Sequence, residues 1–334
     1  MFLTSFALAT TLAQSSLAPA NQPKLLADVG SWAGTVSQVA DYYWLKSNTV
    51  LFWRQVWAES PILFTLKLST TQVQESKLAK VINDSSGSVE SISVSPNGEK
   101  VLWESYKDKQ SSWSIANIDG SEYKQFPRRK TSMIVSNHGP DDETIAFWST
   151  DSKSVFESII DFGDGAFTRL WSRPIDSINK ERSYPLAKGY VDWQPVMIGK
   201  NLAFAKSGLA NGGPRSSVGF ITWNIENPKL TRKAWTVNVP KGRTIVNFSH
   251  SPSGTEILWD LSVKASKEPQ SWDSKGEEFW VSDVRGKSWK QVYRIDFDPK
   301  NAGADASALG GVMWRPDGRA FSYIYKKKLY LVER

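Results

Sequence analysis

Few side chains in this sequence could make or break bonds. Its 334 residues include two histidines, His138 and His250, and no cysteine. Disulfides, thiolate zinc centres, cysteine nucleophiles and Cys-linked lipid anchors are therefore excluded. The two histidines stand far apart beside turn sequences, so each is expected as a turn residue rather than as half of a metal or proton-transfer pair. Asp161-Phe162-Gly163-Asp164-Gly165 opens like a calcium loop but lacks the further spaced ligands and the closing Glu, and is expected to be a hairpin turn. Asn211-Gly212-Gly213-Pro214 is glycine-rich, but neither a helix nor a Lys-Ser/Thr pair follows, which separates it from a phosphate loop. No carboxylate pair stands out as an acid–base couple. The expectation is a protein with no catalytic residues, no metal and no cofactor.

What remains is binding chemistry. Lys and Arg number 41 against 34 Asp and Glu, a net charge of +7, and there are sixteen tryptophans. The basic residues are spread along the chain. Arg128-Arg129-Lys130 and Lys326-Lys327-Lys328 are runs of only three, so nucleic acid is not an expected partner. A hydrophobic fraction of 40% and an aromatic fraction of 12% are those of a chain that folds around a core.

The first 23 residues carry no charge; Phe2 to Ala13 is apolar and Ala18-Pro19-Ala20 supplies small residues for cleavage. This reads as a signal peptide over residues 1–20, although no Lys or Arg precedes the apolar stretch. Thr10, Thr11, Gln14, Ser15 and Ser16 make the stretch too polar and short for a membrane span. The expected product is periplasmic or secreted and monomeric, with no membrane segment after the leader and one domain over residues 21–334.

The elements that must position any site are strands. From about residue 36 a pattern recurs: an alternating strand, a tight turn, and a short apolar strand with aromatics. Its sharp copies run through Ser95-Pro96-Asn97-Gly98, Ser251-Pro252-Ser253-Gly254 and Arg315-Pro316-Asp317-Gly318. In each, Pro presets φ near −65° and Gly accepts positive φ before the chain returns. Three weaker copies are read at Tyr42 to Trp53, at Met133 to Trp148 and at Val191 to Phe204. In the second of these, Met133-Ile134-Val135 is taken as the first strand and Ile145 to Trp148 as the second. Third and fourth strands follow, and helical periodicity is absent. Four short antiparallel strands per unit, six times over, predict an all-β fold: a six-bladed β-propeller. The chain stops after the third strand of the sixth unit. Gln22 to Gly30, with Leu25 and Leu26, is expected to supply the missing outer strand and close the ring.

The Ser-Pro-Asn-Gly copy, its two relatives and the Ile118-Asp119-Gly120 turn resemble TolB-type (WD-like) propeller repeats. The resemblance extends over nearly the whole chain after residue 36 and implies a fold more than a function. The additional α/β domain that precedes the propeller in TolB, and the hydrolase domain of prolyl-oligopeptidase-type enzymes, have no counterpart in the sequence.

In such a fold, first-to-second and third-to-fourth connections share one end, while second-to-third connections and links between units share the other. The long segments 173–189, 207–217, 262–276 and 298–310 all fall at the second end on this reading. The spans assigned to that end hold 21 Lys/Arg and 10 Asp/Glu. The reading is a non-catalytic scaffold that docks a protein or peptide partner, an anionic one, on a basic long-loop face. The candidate contacts are Arg54, Trp57, Arg128, Arg129, Lys130, Arg182, Arg215, Arg243 and Trp272. An alternative is glycan binding or processing through the loop aromatics Trp57 and Trp272, because flat aromatic faces stack on sugars. Trp53, Trp103, Trp148, Trp259, Trp193 and Trp314 are expected in the packing between units.

Overall fold

The computed structural model describes residues 22–29, 41–46, 48–54, 62–70, 72–85, 88–107, 110–127, 142–161, 166–185, 196–198, 201–207, 216–224, 233–264 and 274–334, some by backbone alone. Strand β1 (Lys24–Asp28) precedes a first antiparallel sheet of β2 (Asp41–Lys46), β3 (Thr49–Arg54), β4 (Ile62–Lys67) and β5 (Gln72–Glu75). Helix α1 (Lys77–Ser85) leads to a second sheet of β6 (Ser88–Val94), β7 (Lys100–Lys107), β8 (Gln110–Asn117) and β9 (Lys124–Pro127). The third sheet is β10 (Asp142–Trp148), β11 (Ser154–Asp161), β12 (Ala166–Pro174) and β13 (Arg182–Pro185). The fourth is β14 (Val196–Ile198), β15 (Asn201–Ser207), β16 (Ser217–Asn224) and β17 (Lys233–Asn238). The fifth is β18 (Arg243–His250), β19 (Glu256–Lys264), β20 (Ser274–Asp283) and β21 (Trp289–Asp296). After helix α2 (Ala302–Ser307) come β22 (Leu309–Trp314), β23 (Ala320–Tyr325) and β24 (Lys328–Glu333), and β1 is the fourth strand of this sixth sheet. The fold is all-β and propeller-like, with few helices.

Inner strands of the first, second, fifth and sixth sheets are apolar on both faces because each of these sheets packs against two others. On β19, Ile257, Trp259 and Leu261 join Val218, Phe220 and Val237 of the fourth sheet. Leu258, on the other face of that strand, joins Trp314, Phe321 and Val332 of the sixth. On β7, Val101 and Trp103 meet the first sheet, and Leu102 meets Trp148 and Val155 of the third. A further cluster packs Tyr42, Trp44 and Phe52 of the first sheet against Ala320, Ile324 and Leu331 of the sixth. Trp53, Trp103, Trp148, Trp259 and Trp314 are all buried; Trp193 lies outside the described residues.

β1 runs antiparallel to β24, with Lys24 opposite Leu331, Asp28 opposite Lys328 and a bulge between Leu25 and Ala27. Beyond it the Val29 N–H donates to the Lys327 carbonyl at 2.8 Å. The strand looked for in Gln22 to Gly30 thus covers an edge that would otherwise be open.

Two expectations are corrected. The third sheet is displaced by one strand: Asp142–Trp148 is its first strand, not its second, and β11 is its second. The turn between them, Ser149 to Ser154, repeats the hydrogen bonds of the sharp copies. The Ser149 N–H reaches the Ser154 carbonyl at 2.9 Å, as Ser95 reaches Lys100 at 2.9 Å and Ser251 reaches Glu256 at 2.8 Å. Ser152, at φ 61°, stands where the others have glycine, so the turn carries no Pro/Gly signature. Met133 to Val135 lies outside the described residues. The second correction is α1, which the strand-only reading omitted. Leu78, Ala79 and Ile82 are its buried residues, and the Ser76 hydroxyl accepts the Leu78 N–H at 3.3 Å at its start. Among the described residues no helix is long and apolar enough to cross a membrane.

Candidate functional site

Antiparallel connectivity sets which connections share an end. First-to-second connections are residues 47–48, 95–99, 149–153, 199–200, 251–255 and 315–319, all short. Strand ends at the opposite end are joined by the longer connections 76–87, 128–141, 186–195, 208–216, 265–273 and 297–308. Exposed lysines among the described residues of this long-loop end are Lys77, Lys80, Lys241, Lys275, Lys300, Lys326 and Lys327, of which Lys80 pairs with Asp84 at 2.6 Å and Lys326 with Asp305 at 2.8 Å.

Trp57, Arg128, Arg129, Lys130, Arg215 and Trp272 lie outside the described residues, as do the Arg54 side chain, His138 and the leader. Arg182 opens β13 and is exposed, its guanidinium 4.9 Å from the centre of the Tyr184 ring. It follows the third-to-fourth connection of its sheet, so it sits at the short-turn end and not on the long-loop face. The strand shift in the third sheet is the reason. Arg243 does lie at the long-loop end, but it is committed within the fold. Its Nε and Nη2 donate to Glu278 Oε2 and Oε1 at 2.6 and 2.9 Å. Arg294 Nη1 adds a bond to Oε1 at 3.1 Å, and Trp280 Nε1 donates to Oε2 at 2.8 Å. Burial works to raise the Glu278 carboxyl, yet these donors hold it below the usual carboxylate range. Arg243 is thus an internal ion-pair partner, and a docking role for its guanidinium is not what the geometry offers.

The opposite face of the same sheet holds groups that the sequence reading passed over. Alternation sends Glu277 and Glu278 to opposite sides of β20. Asp260 pairs with Asn247 on β18 and Phe279 on β20, and Glu277 pairs with Ser262. Asp260 and Glu277 are therefore diagonal neighbours on the face that packs against the sixth sheet. Each is 5% exposed. Burial raises both carboxyls, and the negative charge of Glu277 raises Asp260 further, well above the ordinary value. Among the described residues, Asp260 Oδ1 and Glu277 Oε2 have no hydrogen-bond partner, and neither do Ser249 Oγ and Thr244 Oγ1 on the same face. Asp260, Asn247, Ser249, Phe248, Leu258 and Val312 line a narrow crevice between β18, β19 and β22.

The repeat could have shown half of this pair. Aligning the turns places Glu104 where Asp260 stands, each directly after a buried Trp. Glu277 has no such counterpart, since the matching position in the second sheet is Ser111. The remaining histidine, His250, ends β18 on the other face, with its ring edge-on to Phe220 at 5.6 Å and to Phe248 at 6.2 Å. Burial lowers it to about 4, which leaves a neutral aromatic packing residue at neutral pH.

No known family model matches the chain, and no curated protein matches it. Among solved structures, the fold is similar to that of a TolB-type protein from Agrobacterium tumefaciens, with a TM-score of 0.52 and 13% identity over 88% of this chain and 90% of that one. It is also similar to TolB from Acinetobacter baumannii, with a TM-score of 0.50 and 12% identity over 86% of this chain. There the match spans 64% of the relative, just under two thirds of its length. At such identities the likeness is one of fold.

Proposed function

We propose that this chain is an exported six-bladed propeller, its ring closed by β1, that acts as a non-catalytic scaffold and docks an anionic protein or peptide on its long-loop end. The ring is supported by the cores shared between the first and second, second and third, fourth and fifth, fifth and sixth, and sixth and first sheets. The likeness to TolB structures supports the same architecture, and the uncharged leader supports export.

The observation that carries the function is the asymmetry of the connections: one end has first-to-second turns of at most five residues and third-to-fourth connections of at most eight, whereas strands at the other end are joined by segments of up to fourteen, with Lys77, Lys241, Lys275, Lys300 and Lys327 exposed there. Long connections gathered at one end of a repeat fold are where binding surfaces are built. Basic side chains there favour an acidic partner and a salt-sensitive association. Fluorescence anisotropy with a labelled oligo-Glu peptide tests this, against oligo-Lys as the comparator. Binding to oligo-Glu should weaken with added salt and fall in a Lys241→Glu, Lys275→Glu, Lys327→Glu variant of unchanged melting temperature. Equal binding of the two peptides, or an unaltered affinity in that variant, would overturn the assignment.

A further inference from the structure

We propose that the tyrosine column at the junction of the fifth and sixth sheets is a site of oxidative cross-linking, at which a one-electron oxidant of the peroxidase–peroxide class joins the rings of Tyr323 and Tyr330 as a dityrosine bond. The site stands on residues outside the docking reading and does not depend on it.

Three rings from three strands make the column. Tyr323 on β23 and Tyr330 on β24 are directly opposite each other. Their rings stack with centroids 5.2 Å apart and planes 18° from parallel. Tyr293 of β21, the outermost strand of the fifth sheet, stacks on Tyr323 at 5.9 Å and 24°. Facing cross-strand positions hold aromatic rings at such contact distances. Among the described residues, tyrosine rings meet one another only in this column. Tyr325 joins the same core two residues further along β23, so four of the chain's ten tyrosines gather there.

Burial sets the order of events. Tyr323 is 2% exposed, whereas Tyr293 and Tyr330 are only partly buried. Burial also pushes the Tyr323 phenol far above its ordinary value, so an oxidant meets the rim rings first. Each oxidised ring gives up one electron and its phenolic proton and becomes a phenoxyl radical. One radical forms on Tyr330. The other reaches Tyr323 when that ring passes an electron to an oxidised Tyr293. The two couple through ring carbons ortho to their oxygens, and the hydrogen on each coupled carbon moves to the adjacent oxygen, which restores both aromatic rings. One peroxide takes up the two electrons and two protons and leaves as two waters. The chain offers no thiol to intercept the oxidant. The bond fixes β23 to β24, on which the closing strand lies with Leu25 opposite Tyr330. A chain without disulfides thereby gains a covalent tie beside its closure.

Treatment of the full chain, at low concentration, with a haem peroxidase and hydrogen peroxide tests the proposal. The expected product is a monomer with dityrosine fluorescence, lighter than the untreated chain by two hydrogen atoms, whose digest contains Tyr323 joined to Tyr330. Tyr323→Phe keeps the buried ring and removes its hydroxyl, so it should fold and lose the monomer signal. Tyr123→Phe should keep that signal, because Tyr123 is an exposed ring stacked on Trp103 and not on another tyrosine. Absence of dityrosine from the monomer, an equal signal in Tyr323→Phe, or a digest in which Tyr323 and Tyr330 are not the joined pair would overturn the site. If Tyr323→Phe fails to fold, Tyr330→Phe at the rim decides: loss of the monomer signal supports the bond, and a retained signal overturns it.

Discussion

The indole N–H of Trp314 donates to the carbonyl of Ser249 at 3.1 Å, across the boundary between the sixth and fifth sheets. Trp148 makes the same bond to Ser93 at 3.4 Å between the third and second sheets. Each Trp immediately precedes a first-to-second turn, and each acceptor lies two residues ahead of the corresponding turn in the preceding sheet. The repeat therefore fixes a polar contact between sheets as well as an apolar one.

Trp314→Phe keeps most of the buried ring and leaves the Ser249 carbonyl unpaired. It should cost about 1 kcal/mol, the net value of one hydrogen bond. Trp314→Ala, which also empties the space among Phe321, Tyr323 and Val332, should cost about 3–5 kcal/mol. Urea unfolding followed by far-UV circular dichroism measures both. Equal stability of the Phe variant and the wild type would show that the indole bond contributes nothing.

Two glycines at one turn position should behave differently. Gly98 and Gly318 have φ of +70° and +69°, where an L side chain is strained by about 1–2 kcal/mol. An added Cβ on Gly318 meets nothing nearer than Pro252 Cδ at 3.9 Å, but on Gly98 it would lie 1.2 Å from the Leu45 carbonyl oxygen. Gly318→Ala should therefore cost only the backbone strain. Gly98→Ala must also push the first sheet off the second, and should cost roughly 4 kcal/mol or more. Thermal unfolding of the pair checks the order; similar midpoints would mean that the close approach at Leu45 does not persist in solution.

These contrasts show what the sequence could reveal. Four of the six first-strand and second-strand pairs were legible, because Pro-x-Gly turns and β-branched or aromatic runs state their conformation locally; in the fourth sheet the first strand is Val196–Ile198, and Val191 to Pro195, expected as that strand, lies outside the described residues. The third failed because Ser152 does by tertiary support what glycine does alone. Its hydroxyl accepts the Asn97 N–H at 3.0 Å from the neighbouring sheet, a bond no local pattern contains. α1 was hidden in the same way, its short apolar stripe reading as part of a link. At the site, Arg243 looked like any loop arginine until β20 placed Glu278 opposite it. Asp260 and Glu277 are separated by a strand turn whose length, not whose composition, makes them neighbours.

His250 gives the molecule a pH dependence with a definite sign. Burial lowers its folded value to about 4, against about 6.5 in the unfolded chain. The unfolded state thus binds the extra proton first, so this contribution to stability is complete above pH 6.5 and is lost as pH falls toward 4. The loss is bounded at about 3 kcal/mol. The Asp260–Glu277 pair, with folded values raised, acts in the opposite direction, its contribution falling as pH rises above the ordinary carboxylate range. A His250→Phe variant removes the first effect and keeps the second. Unfolding free energies of the two proteins between pH 7 and pH 4.5 should diverge, with the variant losing less stability on acidification. Parallel curves would mean that His250 is accessible to solvent protons in the native state.

The union of the chain's two ends rests on β1 and can be tested one side chain at a time. Val29 is buried in the core shared by the sixth and first sheets and Leu26 packs against that core, whereas Leu25 is 50% exposed. Val29→Ala should lower stability by about 2 kcal/mol, and Leu26→Asp by about as much through burial of an unpaired charge. Leu25→Asp, on the solvent side of the same strand, should stay within about 0.5 kcal/mol of the wild type. Deleting residues 22–29 removes the whole strand and bares the β24 backbone from Lys328 to Leu331. An open edge of that kind pairs with another copy, so the truncated chain should melt at a lower temperature and self-associate in light scattering. Should the truncated chain remain monomeric with an unchanged midpoint, the sixth sheet needs no fourth strand, and the ends are held by the contacts of Tyr42 and Trp44 with Ser322 instead.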